Sequence, residues 1–328
     1  MTTSELVSTP VAVEYAAALD GVAWYNASAY GRLRLTDRDR ADLLHRLTTN
    51  DIRSLAAGSG MRTVLVNHNA RIVDLLTVYA LPEHLLVTTS PGQNTPVAHL
   101  LRRNIFFQDR VGLEDLTDTT VAYHLYGPRA AELVGRISAI DPSPWPLHHI
   151  QAVTVAGAQG WVARTLPIGG AGFALFGRIE DRKVLEGALS DVPRLGEATF
   201  DVLRVEQGHA AFGHELSLEY IPLETRLTDA VSFTKGCYVG QEIIARMESR
   251  NRLAKQLMGL RLARPVAAGG KLSREGKEVG DLTSVVESPR YGPIGLAYVR
   301  TAAAEPGTIV DVTDGVTAEV VELPFRST

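Results

Sequence analysis

The chain has 328 residues, 45% hydrophobic and 21% charged, with a formal net charge of −4. That balance is globular, long enough for two or three cores, and it argues against a general nucleic-acid or membrane-surface binder. A single cysteine, Cys237, excludes an intramolecular disulfide and any site built from several protein thiolates.

The opening Met1-Thr2-Thr3-Ser4-Glu5 has no basic stretch followed by a long apolar run, so no signal peptide is expected. No apolar run approaches bilayer length. A cytoplasmic protein is expected, with neither membrane nor nucleic acid among its partners. The first ten or so residues read as a loose arm. Ala41, Leu44 and Leu47 recur at helical spacing and predict a helix that Thr36 caps. Residues 61–67 and 72–81 are rich in Val, Leu and Thr and read as paired strands. The polar turn Asn67-His68-Asn69 joins them. Asp74 follows Ile72 and Val73 into the second strand, where an inward-facing acid could orient an amine or take a proton. An exposed strand-edge acid is the competing reading.

Gly127-Pro128 predicts a helix with proline at its first position and an apolar stripe of Ala130, Leu133, Val134 and Ile137. After Pro142, Pro144 and Pro146, residues 151–178 read as strands with glycine turns, and 180–189 as a helix. Thr199 could cap a short helix that Gly208 ends. On it Arg204 and Glu206 point in different directions. A carboxylate in a cleft can accept two parallel hydrogen bonds from a flat amidine-like edge; the ordinary alternative is a surface ion pair.

The most loaded segment is Lys235-Gly236-Cys237-Tyr238-Val239-Gly240-Gln241-Glu242. A lysine two residues before the thiol and a helix start just after it favour the thiolate. Glu242, in the first turn of a helix over 241–248, opposes that effect. A lone cysteine otherwise serves as a small buried hydrophobe. From about Lys255 short Val- and Leu-rich runs alternate with turns. Asp314-Gly315 between 308–312 and 316–320 signals a hairpin. The tail reads as a small all-β barrel, and the irregular order of strands and helices before it favours an α+β body of mostly antiparallel sheets. No metal signature is present: His148-His149 point apart and no HExxH occurs. Gly169, Gly170 and Gly172 lack the Lys-Ser/Thr of a phosphate loop.

The eight-residue segment resembles the signature of YgfZ-type folate-binding proteins, relatives of the glycine-cleavage T-protein, the aminomethyltransferase. Supporting matches run from about residue 20 to 325. Leu203-Arg204-Val205-Glu206-x-Gly208, with Gly213-x-Glu215 and Pro222-x-Glu224, resembles the T-protein segment whose glutamate holds the pterin; that role maps onto Glu206. Gly127-Pro128-x-Ala130 resembles its helix start. Val279-Gly280-Asp281-Leu282-Thr283-Ser284, Ser288-Pro289 and Gly295-Leu296-Ala297-Tyr298-Val299 resemble its C-terminal barrel.

The resemblance implies a T-protein-like cloverleaf around a central folate cleft: a folate-binding body over 1–254, with two interleaved subdomains, and a β-barrel over 255–328. It implies tetrahydrofolate or a one-carbon derivative as ligand and a role in making or maintaining iron–sulfur enzymes, with iron–sulfur client or assembly proteins as partners. Cys237 is then the functional thiol. Candidate ligand-binding residues are Glu206, Arg204, Lys235, Gly236, Tyr238, Gly240, Gln241, Glu242 and Arg246, with Lys235 and Arg246 drawing the glutamate tail or acting on the thiol. Where the T-protein has Gly-Gly-Ile-x-Asp-Asp, this chain has Ala70-Arg71-Ile72-Val73-Asp74-Leu75. Loss of one acid tilts the reading away from aminomethyl transfer and leaves Asp74 as the remaining candidate. A folate-dependent one-carbon transferase or demethylase and a non-catalytic folate-binding module are the alternatives.

Overall fold

The computed structural model describes residues 9–250 and 253–326. The expected loose arm lies outside the described residues up to residue 8; from Thr9 the chain is helical, as α1 (Thr9–Asp20). β1 (Ala23–Asn26) follows, and the chain then leaves that layer to build a complete second sheet. This sheet comprises β2 (Tyr30–Thr36), β3 (Gly60–Val66), β4 (Ile72–Ala80), β5 (Leu85–Pro91) and β6 (Gly112–Asp115), with α2 (Arg40–Leu47) and α3 (Asn94–Arg103) between strands. Its order is β3-β4-β5-β2-β6, antiparallel throughout.

The chain returns to the first sheet with β7 (Thr120–Gly127), α4 (Ala130–Ser138), β8 (Ile150–Val155), β9 (Ala158–Arg164), β10 (Ala171–Arg178), α5 (Arg182–Ala188) and β11 (Arg194–Leu195). The order there is β11-β1-β7-β10-β9-β8, and only the β1–β11 pair is parallel. Helix α6 (Glu197–Gln207) and, after a long loop, α7 (Gln241–Arg250) complete the body. β12 (Lys255–Leu262), β13 (Lys271–Arg274), β14 (Lys277–Ser288), β15 (Gly292–Arg300), β16 (Ile309–Val312) and β17 (Val316–Val321) close a six-stranded barrel, with the expected hairpin joining the last two.

Period-two alternation decides which face of each sheet is covered. Leu33, Leu35, Leu76, Val78 and Val87 point outward from the second sheet against Leu43, Leu44, Val97 and Leu101 of α2 and α3. Val121, Tyr123, Leu125, Phe173 and Leu175 do the same from the first sheet against Leu133, Val134 and Leu185 of α4 and α5. Each fully buried Leu or Val contributes about 1.5–3 kcal/mol. The remaining two faces look at one another.

Two expected helix starts move. Thr36 caps nothing: it ends β2, paired with Gly112, and α2 begins at Arg40 after a turn through Asp37 at φ 73°. Pro128 does not open α4. Gly127, at φ 122°, packs where a Cβ would meet the Gly21 carbonyl at 2.5 Å, and the helix begins at Ala130 after a non-helical Arg129. The barrel is stitched to the body by Tyr298, whose ring stacks on Tyr220 at 3.5 Å and whose hydroxyl donates to the Glu215 carbonyl at 2.7 Å. Among the described residues no helix is long and apolar enough to cross a membrane.

Candidate functional site: a cavity between two sheets

The facing sheets enclose a cavity of about 560 Å³. Its floor is one cross-strand row of the second sheet, Arg62–Thr77–Thr88–Arg32. Its roof is the row Tyr25–His124–Ala174 of the first sheet. Residues two apart on a strand share a face, so Leu75 and Tyr79 join Thr77 on the floor, and Tyr126 and Phe176 flank the roof row. The side wall is α6, where Glu197, Asp201 and Arg204 recur at helical spacing and face inward. Tyr25 stacks on Phe200 with ring centroids 4.1 Å apart, and its hydroxyl donates to both Glu197 oxygens, at 2.9 and 2.8 Å.

The interior is densely charged. Arg32 is 1% exposed and its hydrogen bonds end on neutral oxygens: Thr120 Oγ1 at 2.6 Å and the carbonyls of Thr117, Ser28 and Tyr30. Burial pulls its guanidinium down to about 10, far above neutral pH, so it keeps its charge. Arg204 sits in a network: Nε donates to Asp201 Oδ1 at 2.5 Å, Nη1 to Glu215 Oε2 at 3.1 Å and Nη2 to Ser284 Oγ at 2.9 Å. Arg62 grips Asp229 through Nε and Nη2 at 2.9 and 2.7 Å. Three cavity histidines are pushed down to about 4 by burial first and by these arginines second: His124 by Arg32, His148 by Arg62, and His209 by Arg62 and Arg204. All three imidazoles are neutral at pH 7.

Of the catalytic and ligand-binding candidates read from the sequence, only Arg204 lines this cavity; His148, read there only in excluding a metal signature, lines it too. Glu206 does not. Two positions along a helix turn a side chain about 200°, so facing Arg204 inward sends Glu206 the other way. There Tyr15 and Ser288 donate to its Oε1 at 2.7 and 2.6 Å, and it is 3% exposed. Burial raises its pKa. Asp74 faces inward but into the wrong layer: alternation along β4 gives Leu75, Thr77 and Tyr79 to the cavity and Asp74, Leu76 and Val78 to the opposite face. Its carboxylate accepts from the Leu75 and Ser90 amides at 2.9 and 3.0 Å, yet burial pushes its pKa up to about 6.

A carboxyl raised in the folded state lends stability below its unfolded pKa, and that stability is lost as pH climbs through the folded value. The Asp74 contribution therefore falls by roughly 3 kcal/mol between about pH 4 and pH 6. Denaturant titrations of wild type and Asp74→Asn across that window will show the difference; parallel pH profiles would refute it.

The 235–246 segment lies elsewhere. Lys235 is buried and its ammonium donates to the carbonyls of His45, Thr48 and Asn50 at 2.5, 2.7 and 2.8 Å, with Tyr238 beneath it at 4.7 Å. Burial pulls its pKa down to about 8. All three donors are spent on the end of α2, so none is free for a ligand tail or for the thiol. Tyr238 is buried, and burial raises its hydroxyl to about 12. Cys237 is exposed, as are Gly236, Glu242 and Arg246, while Gln241 is half-buried at the start of α7. Gly240 has a conformational reason: at φ 79° it packs where a Cβ would meet the Asn67 carbonyl at 2.8 Å. Thr199 caps nothing; its hydroxyl donates to Glu14 at 2.5 Å, and α6 starts two residues earlier.

Sequence reasoning passed over Arg62, Tyr25, His124, Glu197 and His209. The inward spacing of Glu197 with Asp201 and Arg204 was the one local signal for any of them. Among the described residues no cluster of three or more His, Cys, Asp or Glu side chains could hold a metal ion.

Comparison with known proteins identifies the scaffold. The family model described as the GCVT N-terminal domain matches residues 3–235, and the glycine cleavage T-protein C-terminal barrel domain matches 255–326. A chloroplastic putative transferase of Arabidopsis thaliana is 33% identical over 313 residues, covering 93% of this chain and 72% of that protein. An aminomethyltransferase of Saccharopolyspora erythraea is 29% identical over 330 residues, covering 96% and 89%. The crystal structure of glycine cleavage system aminomethyltransferase T from Bartonella henselae superposes with a TM-score of 0.86 at 22% identity, covering 96% of this chain and 89% of that one, so the α+β fold with its closed barrel is shared. The chain belongs to the glycine cleavage T-protein family.

Proposed function

We propose that this is a YgfZ-type, reduced-folate-binding accessory protein of the cytoplasm. Tetrahydrofolate or a one-carbon derivative occupies the cavity between the sheets, and Cys237 acts outside it on iron–sulfur client or assembly proteins. Family membership supports the ligand class. Three features support it: the cavity is of small-molecule size, its rings offer flat faces, and Glu197 on its wall is a carboxylate able to accept from the N–H edge of a pterin. Glu197 replaces Glu206 in that role.

The observation that carries the accessory role is the separation of thiol and cavity. Cys237 is exposed and outside the cavity lining, so it can meet a protein surface without meeting the folate. Calorimetric titration with tetrahydrofolate is expected to give similar affinity for wild type, Cys237→Ser and Glu206→Gln, and an affinity lower by tenfold or more for Glu197→Gln. In cells Cys237→Ser should lower iron–sulfur enzyme activity. Unchanged binding by Glu197→Gln would remove the assigned pterin contact.

The transferase alternative draws on the names of the relatives. With Asp74 facing the other layer, the acids it could use are Glu197 and Asp201, both on the cavity wall. Conversion of tetrahydrofolate to its methylene form by an aminomethyl donor, whose carbon is already at the formaldehyde level so that ammonia leaves and no oxidant is needed, lost in Asp201→Asn, would establish it.

A further inference from the structure

The floor of the cavity ends in a corner that the pterin contact leaves unused. Arg62 comes from β3, His148 from the turn before β8, and His209 from the loop after α6; all three line the cavity. His148 holds a left-handed backbone, φ 63°, and is 7% exposed. Its Nδ1 is buried with no hydrogen-bond partner. An unpaired buried N–H costs more than a bare lone pair, so the proton sits on Nε2, the nitrogen left for the cavity. Arg62 spends Nε and Nη2 on Asp229 and keeps Nη1. The Arg62–Asp229 pair is close enough to both imidazoles to bear on their basicity. The corner thus gathers neutral N–H donors beside a guanidinium.

We propose that Arg62, His148 and His209 form a carboxylate-binding subsite at the end of the cavity. A free guanidinium N–H beside neutral imidazole N–H donors, in a desolvated setting, suits a compact planar anion. The carboxylate has two possible sources: the glutamate tail of the folate, which rests on the folate reading above, or a separate small carboxylic acid. Neither is needed to satisfy Arg62, whose charge Asp229 already balances, so the corner forms before the ligand arrives.

Full-length wild type, His148→Phe and His209→Gln would be titrated with tetrahydrofolate, with 6-methyltetrahydropterin and with sarcosine. Circular dichroism and melting would verify that each variant is folded; His209→Gln keeps the test alive if His148→Phe is not. If the tail is the ligand, both variants weaken tetrahydrofolate by tenfold or more and leave the pterin, which has no tail, unchanged. If a separate acid is the ligand, sarcosine binds wild type saturated with tetrahydrofolate and fails to bind the variants, while tetrahydrofolate affinity stays constant. The subsite is overturned if folded variants bind all three compounds as wild type does, or if wild type binds sarcosine not at all and the variants bind tetrahydrofolate unchanged. Failure of wild type to bind either pterin compound would sink the folate reading alone, because sarcosine still reports on the corner.

Discussion

Arg204→Met will destabilise the protein by about 3–5 kcal/mol, the usual result of stripping one partner from a buried ion pair. Glu215 is fully buried, and its carboxylate also accepts from Ser284 Oγ at 2.6 Å, Thr283 Oγ1 at 2.6 Å and the Ala211 amide at 3.0 Å. Without the guanidinium those neutral donors must hold a bare charge. The expected cost comes from the stranded acid, so Glu215→Leu on top of Arg204→Met should restore part of the loss, and a double-mutant cycle would measure the coupling. Equilibrium denaturation is the readout. A loss below about 1 kcal/mol would mean that the pair behaves as a surface pair does.

Lys235→Met is expected to cost about 2–4 kcal/mol, because the stem is kept and the ammonium is lost from carbonyls at the end of α2. Amide hydrogen exchange over residues 44–50 should speed up together with alkylation of Cys237, since the same clamp holds the 235–240 loop to α2. Val239 reinforces that clamp, its amide donating to the Arg46 carbonyl at 3.1 Å. If exchange speeds up while the thiol reacts as before, the loop is anchored by other contacts.

Strand pairing was readable wherever alternation was clean. The 60–80 hairpin and the barrel's closing hairpin sit within a residue or so of where the sequence puts them. The family signature was conspicuous because it packs a lysine, a thiol and two glycines into eight residues. In the fold, Lys235 and Gly240 earn those places by backbone capping and close approach. The cavity was hidden for the opposite reason. Arg62, His148 and His209 lie in three separate segments, and only strand register and loop return bring them together. The layer of Asp74 is legible after all: Leu76 and Val78 share its strand face, and that apolar company points to the buried layer.

Arg204 is both a wall of the cavity and a rivet to the barrel through Ser284 and Glu215. Occupancy and assembly are therefore thermodynamically linked. A molecule that binds only the assembled wall adds its binding free energy to the cohesion of the whole chain. A probe placed on the barrel, far from any ligand atom, would register the filling of the chamber as a higher melting temperature.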